Sequence, residues 1–279
     1  MASAPIVLAL ISALGFGSAD FLAGLATRRA AAIPVTFASS CAALVPIAAL
    51  IVMRPGAVAS NDLLEGFFAG LCGTAGFIFF YGGLGAGTMG VVAPVTGVMT
   101  TLVPLAAGLL HGERLSRLQG VGIVLALLAV ALVSIDIDTK HPARLRSDVI
   151  AGLLGGVFFG LSLVALGLAR PQAGMWPSLA AVCTSVITLP GVAQLARVRM
   201  SLTKEALGMS LLVGCFNVAG LVCFLLSCAG GGLSIAATLS SLSPAIVVVL
   251  SRIFLEERLR RVQILGVVTA LIAVTCIAK

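Results

Sequence analysis

Apolar segments of about twenty residues succeed one another along almost the whole chain, and each is long enough to cross a bilayer as a helix. Charges, Gly and Pro bracket ten of them, at 4–26, 33–53, 63–84, 88–110, 117–135, 148–169, 175–196, 205–228, 232–253 and 261–278. The third and fourth segments, and the eighth and ninth, run together as apolar stretches too long for one span. Glycine clusters at Gly82–Gly90 and Gly230–Gly232 supply the turns that divide them. The reading is an all-α membrane protein of ten transmembrane helices.

The polar inventory closes off other classes. Only 10% of the 279 residues are charged and 60% are hydrophobic, where a soluble domain carries about 25% charged residues. So little polar surface could not cover a soluble globule. A cytosolic enzyme, a nucleic-acid binder and a disordered chain are excluded. The net charge of +7 sits in short connecting loops, where Lys and Arg set membrane orientation, so no nucleic-acid partner is expected. Cys41, Cys72, Cys183, Cys215, Cys223, Cys228 and Cys276 lie inside apolar runs without a CxxC pair. They read as small buried hydrophobes, and neither metal nor cofactor is expected. Met1–Leu14 lacks the basic region of a signal peptide and reads as part of an uncleaved first helix.

The chain repeats itself. At an offset of 144, ERLSRLQGVGIVLALLAV at 113–130 aligns with ERLRRVQILGVVTALIAV at 257–274. The identities include Glu113/Glu257, Arg114/Arg258, Arg117/Arg261, Gln119/Gln263 and Gly122/Gly266, most of them not apolar. At an offset of 143, Phe16-Gly17 aligns with Phe159-Gly160, and Gly24-Leu25-Ala26 with Gly167-Leu168-Ala169. Two halves follow, 1–138 and 148–279, with the polar stretch 139–147 as linker. Five helices per half is an odd number, so the second half must enter the membrane in the opposite sense. This is the inverted-repeat architecture of secondary transporters, with the site near the midplane.

Two five-helix repeats, each ending in a Glu-Arg-Leu turn before a Gly-containing apolar helix, resemble the EamA branch of the drug/metabolite transporter superfamily. The Gly15–Phe21 stretch is similar to that family's first helix, and Pro244 resembles its fourth-helix proline. The first repeat departs there, with Thr100 at the aligned position between Pro94 and Pro104. The resemblance spans the chain. It implies a secondary transporter without a shared catalytic site, an exporter of a small metabolite such as an amino acid or nucleobase. It also implies a multi-pass protein of the bacterial inner membrane.

Asp20 is the only ionisable residue well inside a span, and a carboxylate there is a functional candidate. It can exchange a proton or hold a cation, which makes proton coupling an expectation; alternatively it caps local backbone donors. Asn217, near the middle of the eighth segment, either binds substrate or bonds across helices. Thr96 and Thr100 share one helix face, Ser240 aligns with Thr96, and Ser243 follows. They either line a cavity or bond their own backbones. Phe77 and Tyr81 lie four apart in the third segment, as gate or as interfacial anchor. Trp176 opens the seventh segment, where an anchor is expected. These eight substrate-site candidates, Asp20, Phe77, Tyr81, Thr96, Thr100, Asn217, Ser240 and Ser243, are expected around one cavity. The glycines of the third and sixth segments read as close-packing positions.

An enzyme is not expected. His111 and His141 lie outside the deep spans, HExxH and GxSxG are absent, and Asp20 has no second aspartate partner. A passive channel or facilitator, or a lipid-handling protein of the same fold, remains the alternative to transport by alternating access. Orientation divides the signals. A cytoplasmic N-terminus would leave only Arg54, Arg114, Arg117, Arg170 and Lys279 inside, of 17 basic residues. The charge bias therefore favours an external N-terminus, whereas the resemblance implies cytoplasmic termini. The oligomeric state is left open.

Overall fold

The computed structural model describes residues 3–110, 117–134, 142–231, 240, 242–256 and 261–277. The ten α-helices among these residues are α1 (Ser3–Thr27), α2 (Ala32–Met53), α3 (Ser60–Ala86), α4 (Met89–Leu110), α5 (Arg117–Ser134), α6 (Pro142–Leu168), α7 (Trp176–Leu195), α8 (Lys204–Gly231), α9 (Ser243–Phe254) and α10 (Arg261–Ile277). A short 3₁₀ turn at Pro171–Ala173 precedes α7. Six of them, α1, α2, α3, α6, α7 and α8, are long and apolar enough to cross a membrane; the apolar stretches of α4, α5, α9 and α10 are shorter. The chain is an integral multi-pass membrane protein. Its outer face is accordingly apolar, with Val52, Ile187 and Leu195 at least three-quarters exposed.

Two boundaries differ from the sequence reading. Helix α6 starts at Pro142 and so takes in most of the expected linker 139–147. Proline suits a first helical turn, whose N–H has no intrahelical acceptor in any case, and Arg144 and Arg146 stay exposed. At the other site, α9 begins at Ser243 with Pro244 in its first turn, so that proline initiates the described helix. Residues 232–239, the Glu113-Arg114 and Glu257-Arg258 pairs and both histidines lie outside the described residues.

Small residues set the helix spacing. In lipid there is little hydrophobic force between helices, so association relies on close packing and interhelical bonds. Gly66 and Gly70 of α3 seat against the Pro177 and Ala181 carbonyls of α7, and Gly214 of α8 seats against the Ser39 carbonyl of α2. Gly156 and Gly160 of α6 meet Met99 and Val103 of α4, as Gly17 of α1 meets Ile246 of α9. A Cβ at any of these would overlap its neighbour. The α5 and α10 helices pair through Ala126, Ala129, Ala270, Ala273 and Val274.

The contact register fixes direction. Gly70 lies by Ala181 and Thr74 by Ser185, so α3 and α7 run parallel. Gly76 lies by Phe159 and Gly83 by Ala151, so α3 and α6 run antiparallel. In the same way α4 is parallel to α6, α8 parallel to α2, α9 parallel to α1, and α1 antiparallel to α8. The C-terminal turns of α1 and α3 meet, with Gly24 against Leu84 and Thr27 against Gly85. Helices α1, α3, α7 and α9 therefore point one way and α2, α4, α6 and α8 the other. The α1 C-terminal end gathers the α1–α2 and α7–α8 loops; the opposite end gathers the α2–α3 and α6–α7 loops.

That opposite end is tied by Asp62. At the third position of α3 its carboxylate accepts from the Ala59 N–H (2.7 Å), the reach-back that closes a helix N-terminus. It also accepts from Arg170 Nη2 at 2.7 Å and from the Arg170 backbone N–H at 3.1 Å. Asp62 in turn holds the Arg170 guanidinium above its ordinary pKa. Buried Asp148 of α6 does similar work on the connection before α4, accepting from the Thr88 N–H at 2.8 Å. Gly87 is required there, because a side chain would meet the Asp148 carboxylate.

Candidate functional site

Tyr81 sits where the two halves meet. It is fully buried in the largest core cluster, with Ala19, Ala23, Phe80, Leu84, Met89 and Val213 around it. The interfacial-anchor reading of Tyr81 is therefore corrected: the ring faces inward, a turn and a half from the α3 C-terminus. Its hydroxyl accepts from Asn217 Nδ2 of α8 at 3.3 Å. Its carbonyl accepts from Thr27 Oγ1 of α1 at 2.9 Å, and the same hydroxyl reaches the Ala23 carbonyl at 2.8 Å. Three helices from both halves thus converge on one tyrosine.

Asp20 of α1 completes the group. It is half-buried, lies between Ala19 and Phe21 of the core cluster that holds Tyr81, and has no hydrogen bond or ion pair among the described residues. A carboxylate that lacks fixed partners in an apolar bundle can gain or lose a proton, or take a cation, without first breaking a bond. Phe77 lies between Tyr81 (centroids 5.0 Å, tilted) and Phe159 of α6 (4.8 Å, edge-on). Phe80 meets the same Phe159 ring at 5.6 Å. The aromatic wall is possible because Gly76 gives way to the Phe159 ring. Asp20, Tyr81, Asn217 and Phe77 are therefore brought into one neighbourhood.

The remaining four candidates lie between helices. Thr96 Oγ1 donates to its own Val92 carbonyl at 2.9 Å and lies 3.1 Å from the Gly152 carbonyl of α6. Ser240 Oγ donates to the Ala9 carbonyl of α1 at 3.4 Å. Positions 96 and 240 are related by the 144 offset, and 9 and 152 by the 143 offset, so both halves make the same contact. Thr100 is half-buried with its hydroxyl 3.5 Å from the Gly156 carbonyl. Ser243 opens α9, half-buried, with its carbonyl against Gly17. Trp176 does open α7, and packs against the buried cluster of Ala43, Ile47, Ile51 and Val218 with its indole N–H buried.

Sequence reasoning missed three polar links. Thr74 Oγ1 lies 2.7 Å from Ser185 Oγ, buried between α3 and α7. The Asp62–Arg170 and Asp148–Thr88 ties are the others. Their partners are 60 to 111 positions apart in sequence, and no local spacing announces them. Asp148 had one signal: the Gly87-Thr88 connection carries no carboxylate of its own to cap α4. Among the described residues, no group of three His, Cys, Asp or Glu side chains could hold a metal ion.

The two halves do not pack identically. Helix α1 packs along α3, whereas their equivalents α6 and α8 barely touch. Among the described residues, the contact that closes one end of the bundle, through Gly24, Thr27, Leu84 and Gly85, has no equal at the other.

No curated protein matches the sequence. A solved structure described only as "Crystal structure of protein" is similar with a TM-score of 0.63 over 99% of this chain and 98% of its own. Its sequence identity is 13%, so the likeness shows the fold alone. The sequence itself matches the EamA-like transporter family over residues 3–135 and again over 146–279. Two matches that together span the helical halves around the Tyr81–Asn217 contact leave one assignment: the chain belongs to the EamA-like transporter family, within the drug/metabolite transporter superfamily.

Proposed function

We propose that this protein is a secondary transporter that exports a small metabolite, such as an amino acid or nucleobase, by alternating access across a bacterial inner membrane. The halves 1–138 and 148–279 act as inverted repeats, with the four shorter apolar helices completing ten spans. Equivalent helices pointing in opposite senses, and the Thr96 and Ser240 contacts repeated in both halves, support that reading. The observation that carries the mechanism is the unequal packing of α1–α3 and α6–α8. Helices that close on each other in one half and barely touch, among the described residues, in the other are what a protein resting in one of two exchangeable states presents.

The substrate path passes Asp20, Tyr81, Asn217 and Phe77. Asp20 supplies a group whose charge can differ between end states, which suits proton coupling. The Asn217 amide and Tyr81 hydroxyl supply neutral donors and acceptors, and Phe77 an apolar or stacking surface. Thr96, Thr100, Ser240 and Ser243 flank the path and hold the spacing of α4–α6 and α9–α1.

The test is thermal stabilisation of purified protein by a panel of amino acids and nucleobases, followed by counterflow in proteoliposomes with any hit. A ligand that stabilises the wild type but not Asn217→Leu, and that exchanges in counterflow, supports the reading. Linear flux that never shows counterflow points to a passive channel instead.

A further inference from the structure

We propose that the hollow between the α1–α2 and α7–α8 loops binds the phosphate of an anionic lipid headgroup. It is an open hollow of about 420 Å³ lined by Arg29, Arg199, Ser201 and Thr203, with Ala30, Ala31, Val198 and Leu202 as its apolar wall. Two guanidinium groups and two hydroxyls around an open space are the donor set that phosphate oxygens take. The apolar wall suits the glycerol and first methylenes of a lipid.

The chain builds this hollow deliberately. Helix α7 ends with Arg197 in the left-handed region (φ 54°) and the Val198 N–H on the Ala193 carbonyl at 2.9 Å. That turn folds 198–203 back as a wall. Thr203 then caps α8, its hydroxyl accepting from the Ala206 N–H at 3.2 Å, so the positive end of the α8 dipole adjoins the hollow. Arg29 pairs with Glu205 at the rim, which orients one edge of its five-donor fork and leaves the other donors available. Among the described residues, Arg199 has no ion-pair partner.

The equivalent loop pair at the opposite end serves as an internal control. There the Ala57 N–H donates to the Gln172 carbonyl at 2.8 Å, Gly56 seats against Ala173, and Arg170 is consumed by Asp62 and the Ala57 carbonyl. One loop pair is zipped by backbone bonds; the other is joined at its rim by Arg29 and Glu205 and keeps an open hollow lined by two arginines. Among the described residues, Arg28, Arg144, Arg146 and Lys204 lie at the same end of the bundle as the open pair, and such a basic end attracts anionic headgroups. Location at the helix ends, level with headgroups, favours a lipid over a dissolved anion.

The test is thermal unfolding of detergent-purified protein with dioctanoyl phosphatidylglycerol, dioctanoyl phosphatidylcholine or inorganic phosphate. Wild type is compared with Arg199→Gln and Arg199→Lys, and with Arg54→Gln on the opposite face. Phosphatidylglycerol should raise the melting temperature of the wild type and of Arg54→Gln, and phosphatidylcholine should not. The concentration needed should rise by about tenfold in Arg199→Gln, as expected for one lost charge-assisted bond pair. Arg199→Lys should fall between, because a point charge replaces a fork, and it serves if the Gln variant fails to fold. Equal stabilisation by phosphatidylcholine, or an undiminished phosphatidylglycerol effect in both Arg199 variants, overturns the site. Full stabilisation by inorganic phosphate overturns the lipid and assigns a soluble anion. None of these readouts depends on transport.

Discussion

Asn217 of the second half donates its amide to the Tyr81 hydroxyl of the first at 3.3 Å, and this is a polar bond between the two helices that occupy the third place in each half. It lies next to the α1–α3 contact, where Thr27 donates to the Tyr81 carbonyl. A bond across that boundary must lengthen or break if the halves move against each other. We therefore expect Tyr81→Phe and Asn217→Leu each to reduce transport strongly. Stability should change by only about 0.6 kcal/mol, the mean for interhelical bonds in membranes. A double-mutant cycle on thermal unfolding, with initial uptake rates beside it, checks this. A large stability loss with normal transport would make the bond purely structural.

Asp20 is expected to govern the driving force. Asp20→Asn replaces the carboxyl by an amide of similar volume and keeps the packing of Ala19, Phe21 and Ala23. Uptake driven by an imposed pH gradient should fall to background while the melting temperature stays within a few degrees of wild type. Substrate exchange at equal pH should survive, because exchange needs no net proton movement. Equal gradient-driven rates in wild type and Asp20→Asn would leave facilitated diffusion as the mechanism.

The repeated hydroxyl contacts should behave as a pair. Thr96→Val and Ser240→Ala each remove one side-chain bond to a facing backbone carbonyl. Each should cost on the order of 0.5–1.5 kcal/mol, and the two losses should add, since the sites are independent. KM for the transported substrate should remain within about twofold. A KM rise of an order of magnitude in either variant would move that residue from spacing helices to contacting substrate.

Close approach predicts which glycines tolerate a methyl group. A Cβ at Gly156 meets the Thr96 carbonyl and Met99, whereas Gly167 in the same helix has nothing within 4 Å. Gly156→Ala should destabilise by about 1–3 kcal/mol through overpacking. Gly167→Ala should be neutral or stabilising by up to about 1 kcal/mol, because it lowers the backbone entropy lost in a helix. Melting curves of the two variants decide between packing and mere composition.

The sequence by itself determined the class, the helices and the repeat. Length and apolarity of each segment are local properties, and a bilayer demands that backbone groups bond within their own segment, so spans are readable one at a time. The repeat was legible because polar matches such as Gln119/Gln263 recur at a fixed offset. Asp20 was legible as a candidate because a charge in an apolar run is conspicuous. Helix ends were less so: Pro142 starts α6 within polar sequence that looked like a linker, since a helix leaving the membrane no longer needs apolar residues. Only the tertiary structure decided that Tyr81 faces inward to Asn217, that the Thr96 and Ser240 hydroxyls meet neighbouring backbones, and that Asp62 belongs with Arg170. Those outcomes depend on helix rotation and crossing, which are set by where glycines on two distant segments let backbones touch. The unequal α1–α3 and α6–α8 packing is also a tertiary outcome, which two halves with matching sequences could not foretell.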